Sequence, residues 1–331
     1  MPEALPGHDR PLRPPQIVRS SLPRIEFGRS KRGDVAYYAA LVAASILSWL
    51  VALLPDPLVT SIARFIGWVS FATSRGFRDN VASNLSHIYS VSTSDPLVRT
   101  SVRGAFRTNA LNIVDLLRVP HMIEDDYARQ LSVEPGSWEI LNNAMASSKG
   151  AILITAHLGP FDLVSSALRT RGYPLSALTA RTTNRMVFHG ITFLRSSHDM
   201  RVIEASSGGL RDIIRLLQRG EMVILLSDRD FFLSGRDAIF FGEPTTLPIG
   251  AVRLARDTGA PIIPFFAYRE GKRTRMTVRP SISVSCSDNR DADIEDALKV
   301  VAKELEQAIG EAPDQWVLFQ RVWPDDNRAP D

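Results

Sequence analysis

Residues 35–55, VAYYAALVAASILSWLVALLP, form an uncharged run. A helix of about 20 apolar residues can cross the hydrocarbon core of a bilayer. Alanine and serine dilute this run, so a helix lying in the interface or buried as core fits the same letters. Residues 58–130 read as helices: Ile62, Phe65, Ile66, Val69 and Phe71 form one broad apolar face, and Val102, Phe106, Ala110, Ile113, Leu116 and Leu117 recur at helical spacing. From about residue 150 the pattern changes to short apolar runs at 151–156, 175–180, 201–205 and 222–226, each followed by a helical stretch, and then APIIPFFAYRE and TRMTVRP. Strands alternating with helices predict an α/β fold with a mixed, mostly parallel sheet flanked by helices. A charged helix follows over residues 293–309, and the chain closes on a strand-like DQWVLFQRVW.

Residues 1–34 are rich in proline and arginine and read as a flexible leader. They lack the basic, apolar and cleavage-site order of a secretory peptide. The chain thus divides into a leader (1–34), an apolar membrane-spanning or interfacial helix (35–55) and one large domain (56–331). Arg24, Arg29, Lys31 and Arg32 would hold the N-terminal side of a spanning helix in the cytoplasm, whereas an interfacial helix would leave the whole chain there.

The 331 residues, 44% hydrophobic and 23% charged, have ordinary globular composition, which excludes wholesale disorder and a polytopic membrane protein. One cysteine, Cys286, excludes an internal disulfide and cysteine-based metal centres. A net charge of +3 is too weak to argue for nucleic acid and is compatible with an anionic membrane surface.

Candidate chemistry concentrates at strand ends, where ligands gather in open α/β sheets. His157-Leu-Gly-Pro-Phe-Asp162 sits where the strand at 151–156 gives way to a helix. A carboxylate in the first turn of that helix can accept a hydrogen bond from one ring nitrogen, leaving the other to act as a base. If the attacking hydroxyl belongs to the substrate, no protein nucleophile is needed. Gly159 allows the tight turn and Pro160 suits the first helical turn. On spacing alone, a strand-end histidine beside a helix start fits equally. Ser227-Asp228-Arg229-Asp230 follows the strand at 222–226 on the same side of the sheet. An aspartate there could brace the base and an arginine could hold an anionic group, or the cluster could be a solvated turn. Phe231, Phe232, Ile239, Phe240 and Phe241 line either an acyl-chain channel or ordinary core.

The ordered set His157-x4-Asp162, DRD at 228–230, FFGEP at 240–244, LPIGAVRLARDTGAPIIP at 247–264 and DQWVLFQRVWP at 314–324 resembles the lysophospholipid acyltransferase superfamily. Within it, the set is similar to the branch of lipid A late acyltransferases and phosphatidylinositol mannoside acyltransferases, over roughly residues 35–325. The resemblance implies a glycerol-3-phosphate acyltransferase-like fold, with His157 as general base, Asp162 orienting it and Asp228 as a second acidic position. Arg195, Arg229, Gly159 and Phe161 would then contact substrate. It further implies an acyl thioester donor (acyl-CoA or acyl carrier protein), a glycolipid acceptor, one-step transfer without an acyl-enzyme, no metal or other cofactor, and work at the bacterial inner membrane on its cytoplasmic face. Lipid A enzymes usually carry HxGNWE where this chain has Gly159-Pro160-Phe161-Asp162. With the DRD, FFGEP and tail elements, that points to a phosphatidylinositol mannoside-like acceptor. A lauroyl- or myristoyl-type lipid A transferase and a non-catalytic lipid-binding module are the alternatives. A serine hydrolase would need a nucleophile, and no G-x-S-x-G elbow is present. His157, His189 and His198 lack metal-ligand spacing.

Overall fold

The computed structural model describes residues 35–179, 184–231 and 233–323. The expected leader and Phe232 lie outside the described residues. Helices come first: α1 (Val35–Leu53), α2 (Asp56–Thr73), α3 (Arg75–Tyr89), α4 (Pro96–Arg118) and α5 (Glu124–Gln130). The alternating part follows as β1 (Leu131–Val133), α6 (Ser137–Ala146), β2 (Ala151–Thr155), α7 (Phe161–Thr170), β3 (Leu175–Thr179), α8 (Arg185–Arg195), β4 (Arg201–Glu204), α9 (Ser207–Gln218) and β5 (Met222–Leu226). The chain continues through β6 (Arg236–Phe240), β7 (Glu243–Leu247), α10 (Gly250–Thr258), β8 (Ile262–Glu270), β9 (Arg273–Val278) and α11 (Arg290–Glu311).

Seven strands form one sheet in the order β1-β9-β8-β2-β5-β3-β4. All neighbours are parallel except β8 with β9, so the sheet is mixed and mostly parallel, as the alternation predicts. Every residue of β2 is buried, the pattern of a strand covered on both faces. Its alternate residues serve two cores: Ile152 and Ile154 pack with α9, α10 and α11, while Ala151 and Leu153 pack with α6 and α7. The sheet is therefore the middle of three layers. Its central strands β2 and β5 run in register from Ala151 opposite Met222 to Thr155 opposite Leu226.

Three expectations change. First, FFGEP is part of an antiparallel hairpin of β6 and β7, whose two-residue turn has Phe241 at φ 50° and Gly242 at φ 78°, the backbone that tight hairpins require. Phe240 is fully buried against Trp323 and Phe241 is partly buried, so these two rings are core, whereas Phe231 and Ile239 are exposed.

Second, the C-terminal segment adds no strand to the sheet. A short turn at Pro313–Gln315 leads into an extended stretch that makes one isolated bridge, Trp316 to Leu158. Its backbone groups are satisfied elsewhere. Val317 N donates to the His157 carbonyl at 2.7 Å, and the Asn84 amide donates to the Leu318 and Gln320 carbonyls at 3.2 and 2.8 Å.

Third, α1 forms over the expected residues, but among the described residues no helix is long and apolar enough to cross a membrane. The small residues that dilute it have a packing use. Ala40, Ala44, Ser48 and Val51 recur at helical spacing and are buried, with Ala44 and Val51 packed among residues of α4 and α8. The Ser48 hydroxyl donates to the Leu117 carbonyl at 2.5 Å. The opposite face leaves Val42, Ile46, Trp49, Leu50 and Leu53 exposed, and α2 exposes Leu58, Ile62, Phe65, Ile66 and Trp68. These helices thus bury one stripe in protein and present an apolar stripe outward.

Candidate active site

His157 and Asp228 lie at equivalent places: each is two residues beyond its strand, and the β2/β5 register sets those positions side by side. The register continues past the strands, with Ser227 N donating to the Thr155 carbonyl at 2.9 Å. The His157 ring Nδ1 lies 2.9 Å from Asp228 Oδ1 and 3.2 Å from Oδ2. Oδ2 also accepts from the His157 backbone N–H at 2.8 Å and from the Trp316 indole at 2.8 Å.

Asp228 is fully buried. Burial alone opposes its charge, but the His157 charge, the hydrogen bonds from the His157 ring and the Trp316 indole, and the His157 backbone N–H outweigh it and hold the carboxyl below its ordinary range. An ionised carboxylate only accepts, so Nδ1 donates to it in either charge state of the ring, and whenever the ring is neutral the acceptor nitrogen is Nε2. About a third of the His157 side chain (32%) is open to solvent, so a hydroxyl can reach it.

Asp162 does not reach the ring. Its two oxygens are taken by the fork of Arg195 on α8, Nε at 2.7 Å and Nη2 at 3.0 Å, the bidentate arrangement that planar guanidinium favours. Arg195 also reaches Thr179 Oγ1 at 3.3 Å. Phe161 stands between the two pairs: its ring lies edge-on to His157 with centroids 5.9 Å apart, and the Arg195 guanidinium carbon lies 5.8 Å from its centroid. The hydrogen bond that the His157 ring was expected to donate to Asp162 goes instead to Asp228, because strand register delivers Asp228 to Nδ1 while Arg195 occupies Asp162. Asp228 was open to that role in the sequence. Arg229 is half-buried beside it, its guanidinium carbon 5.3 Å from the Phe231 centroid. Burial pulls its pKa down against the opposing pull of Asp228 and Asp230.

Gly159 is the hinge of the turn. Its φ is +54°, and a Cβ there would sit 2.1 Å from the Ala267 carbonyl oxygen on β8. The turn is clamped by groups that the motif does not reveal. Asn112 on α4 donates to the Gly159 carbonyl at 2.7 Å and accepts from Arg269 at 2.8 Å, and Arg269 pairs with Asp115 at 2.5 Å. Gly159 N donates to the Gln315 carbonyl at 3.0 Å. Among the described residues no group of three or more His, Cys, Asp or Glu could hold a metal ion.

A family model described as bacterial lipid A biosynthesis acyltransferase matches residues 27–324. The chain belongs to that family. It is an acyltransferase, as the resemblance implied. Among its relatives, a phosphatidylinositol mannoside acyltransferase of Mycobacterium tuberculosis (strain CDC 1551 / Oshkosh) is 26% identical over 254 residues, 75% of this chain and 78% of that protein. The corresponding enzyme of Mycolicibacterium smegmatis is 24% identical over 277 residues, 83% of this chain and 88% of its own. A lipid A biosynthesis acyltransferase of Haemophilus influenzae is 27% identical over 188 residues, 56% of this chain and 57% of its own.

Sequence reasoning missed Trp316, Asn112, Gln315 and Arg269 as partners of the turn. Their sequence positions are remote from it, and the one signal available for Trp316 was its place in the tail motif. Because the turn tolerates no side chain at residue 159, Gly159→Ala is expected to cost at least about 2 kcal/mol of stability and to lower acyl transfer with it. Denaturant unfolding and transfer assays on the same preparation check this.

Proposed function

We propose that the protein transfers a fatty acyl group from an acyl thioester to a sugar hydroxyl of a phosphatidylinositol mannoside-like glycolipid, with His157 as general base. The observation that carries this reading is the His157–Asp228 pair, whose hydrogen bond engages Nδ1 of a side chain that is about a third open to solvent and so leaves Nε2 for a substrate. Among the described residues no serine, threonine or cysteine side chain hydrogen-bonds to that ring, which favours attack by a substrate hydroxyl over an acyl-enzyme.

Nε2 takes the proton of the acceptor hydroxyl as its oxygen attacks the thioester carbonyl. Asp228 stabilises the imidazolium that forms. The tetrahedral intermediate then collapses, the carbon–sulfur bond breaks, and the departing thiolate takes the proton back from Nε2. An ester and a free thiol result, and the base is restored. Asp162 and Arg195 act as a unit that fixes the first turn of α7, and Arg229 offers its charge to an anionic group of either substrate. Coenzyme A and the phosphopantetheine of acyl carrier protein both carry such a group, as does a phosphoinositide acceptor.

The acceptor assignment is supported by the mannoside acyltransferases, which match more of this chain than the Haemophilus lipid A enzyme does. The outward apolar stripes of α1 and α2 support work at a membrane surface, the helices lying in the interface and not spanning it. Acyl thioesters are made in the cytoplasm, so the domain would face that side of the inner membrane.

Radiolabelled palmitoyl-CoA with a lipid extract containing phosphatidylinositol mannosides tests the reaction. The wild type is expected to give a base-labile labelled glycolipid, and His157→Ala and Asp228→Asn to lose about 10³-fold or more of the rate. Equal transfer by the histidine variant would overturn the base assignment, and label entering only lipid A would reassign the acceptor. Replacing Trp49, Phe65 and Trp68 together by serine, on the exposed stripes, is expected to weaken binding to anionic vesicles by at least about 10-fold. Sedimentation with vesicles measures this, and unchanged binding would remove α1 and α2 from the membrane contact.

A further inference from the structure

The C-terminal segment closes on the catalytic turn, yet the reaction as derived uses none of its side chains. We propose that Trp316 is a positioning residue, its indole N–H fixing one oxygen of Asp228 so that the other is presented to Nδ1 of His157. The proposal rests on the general-base reading above.

An indole can only donate. Trp316 is 1% exposed and stands among the largest fully buried side chains of the protein, and its one polar atom is aimed at the buried carboxylate. Asp228 Oδ2 receives that N–H and the His157 backbone N–H, both at 2.8 Å, while Nδ1 of the ring lies closer to Oδ1 at 2.9 Å than to Oδ2 at 3.2 Å. Two donors on Oδ2 set the rotation of the carboxylate and so the direction of Oδ1.

The indole is itself held from the turn that carries the base. Val317 N donates to the His157 carbonyl at 2.7 Å, and the Gln315 side chain takes the Arg269 N–H at 2.7 Å and donates to the Arg269 carbonyl at 3.1 Å. Base, carboxylate and indole therefore form a closed loop of contacts among three separate parts of the chain.

Removing the indole donor leaves more negative charge on Asp228 facing the ring, so the ring keeps a proton to higher pH. The other charged groups around the pair stay unchanged: Arg229 and Asp230 after β5, the Asp162–Arg195 pair across Phe161, and the Arg269–Asp115 pair behind Gly159.

The test is the pH profile of kcat/KM for the full chain, with palmitoyl-CoA and the mannoside lipid extract. Trp316→Phe keeps most of the packing and loses the donor. It is expected to lower kcat/KM about 10-fold and to move the acid limb up by about half a pH unit. Leu318→Ala, a packing loss in the same segment, is expected to lower thermal stability and leave the acid limb in place. If Trp316→Phe fails to fold, replacement by β-(3-benzothienyl)alanine, which puts sulfur where the N–H stood, gives the same reading. An acid limb coincident with that of the wild type, in either donor-free variant, overturns the proposal while His157→Ala remains inactive. An active His157→Ala instead overturns the base reading, and the role of Trp316 with it.

Discussion

A carboxylate with no exposure to water is costly unless donors surround it, and Asp228 is such a group. Its requirements organise the site. It draws one donor from the ring that it orients, one from the backbone of the same histidine, and one from a tryptophan 88 positions later in the chain. Each donor comes from a different constraint: strand register delivers the backbone N–H, the glycine turn delivers the ring, and the C-terminal segment delivers the indole. Loss of any of these would leave a buried charge with too few partners, so the arrangement is cooperative.

The parts of the fold legible in the sequence were those set by local pattern. The apolar runs at 151–156 and 222–226 became β2 and β5, because strands covered on both faces need uninterrupted hydrophobic letters. The helices between them followed from the alternation of apolar runs with helical stretches, as α8 and α9 do. The C-terminal segment misled because Trp316, Val317 and Leu318 are as apolar as a strand requires. Its backbone bonds, however, go to the His157 turn and to Asn84, partners that no local pattern specifies.

The site divides in the same way. His157, Asp162, Gly159 and Phe161 share one short stretch and were visible together, whereas which acid bonds the ring depended on tertiary pairing. Asp162 satisfied the spacing, but Arg195 holds both its oxygens. The apolar run at 35–55 was ambiguous for a related reason. Alanine and serine dilute the apolar run, and the neighbours on α4 and α8 that give these small residues a packing use lie far along the chain, where no local pattern reveals them.

In the proposed general-base reaction, Asp228 fixes His157 in the tautomer with the proton on Nδ1, leaving Nε2 to take the proton of the acceptor. Nitrogen-15 NMR of histidine-labelled protein, with the His157 signals assigned by their loss in His157→Gln, observes that tautomer directly. In the pH range where the ring is neutral, a protonated Nδ1 and an unprotonated Nε2 are the predicted result. The reverse tautomer, or a rapidly averaging ring, would contradict the account.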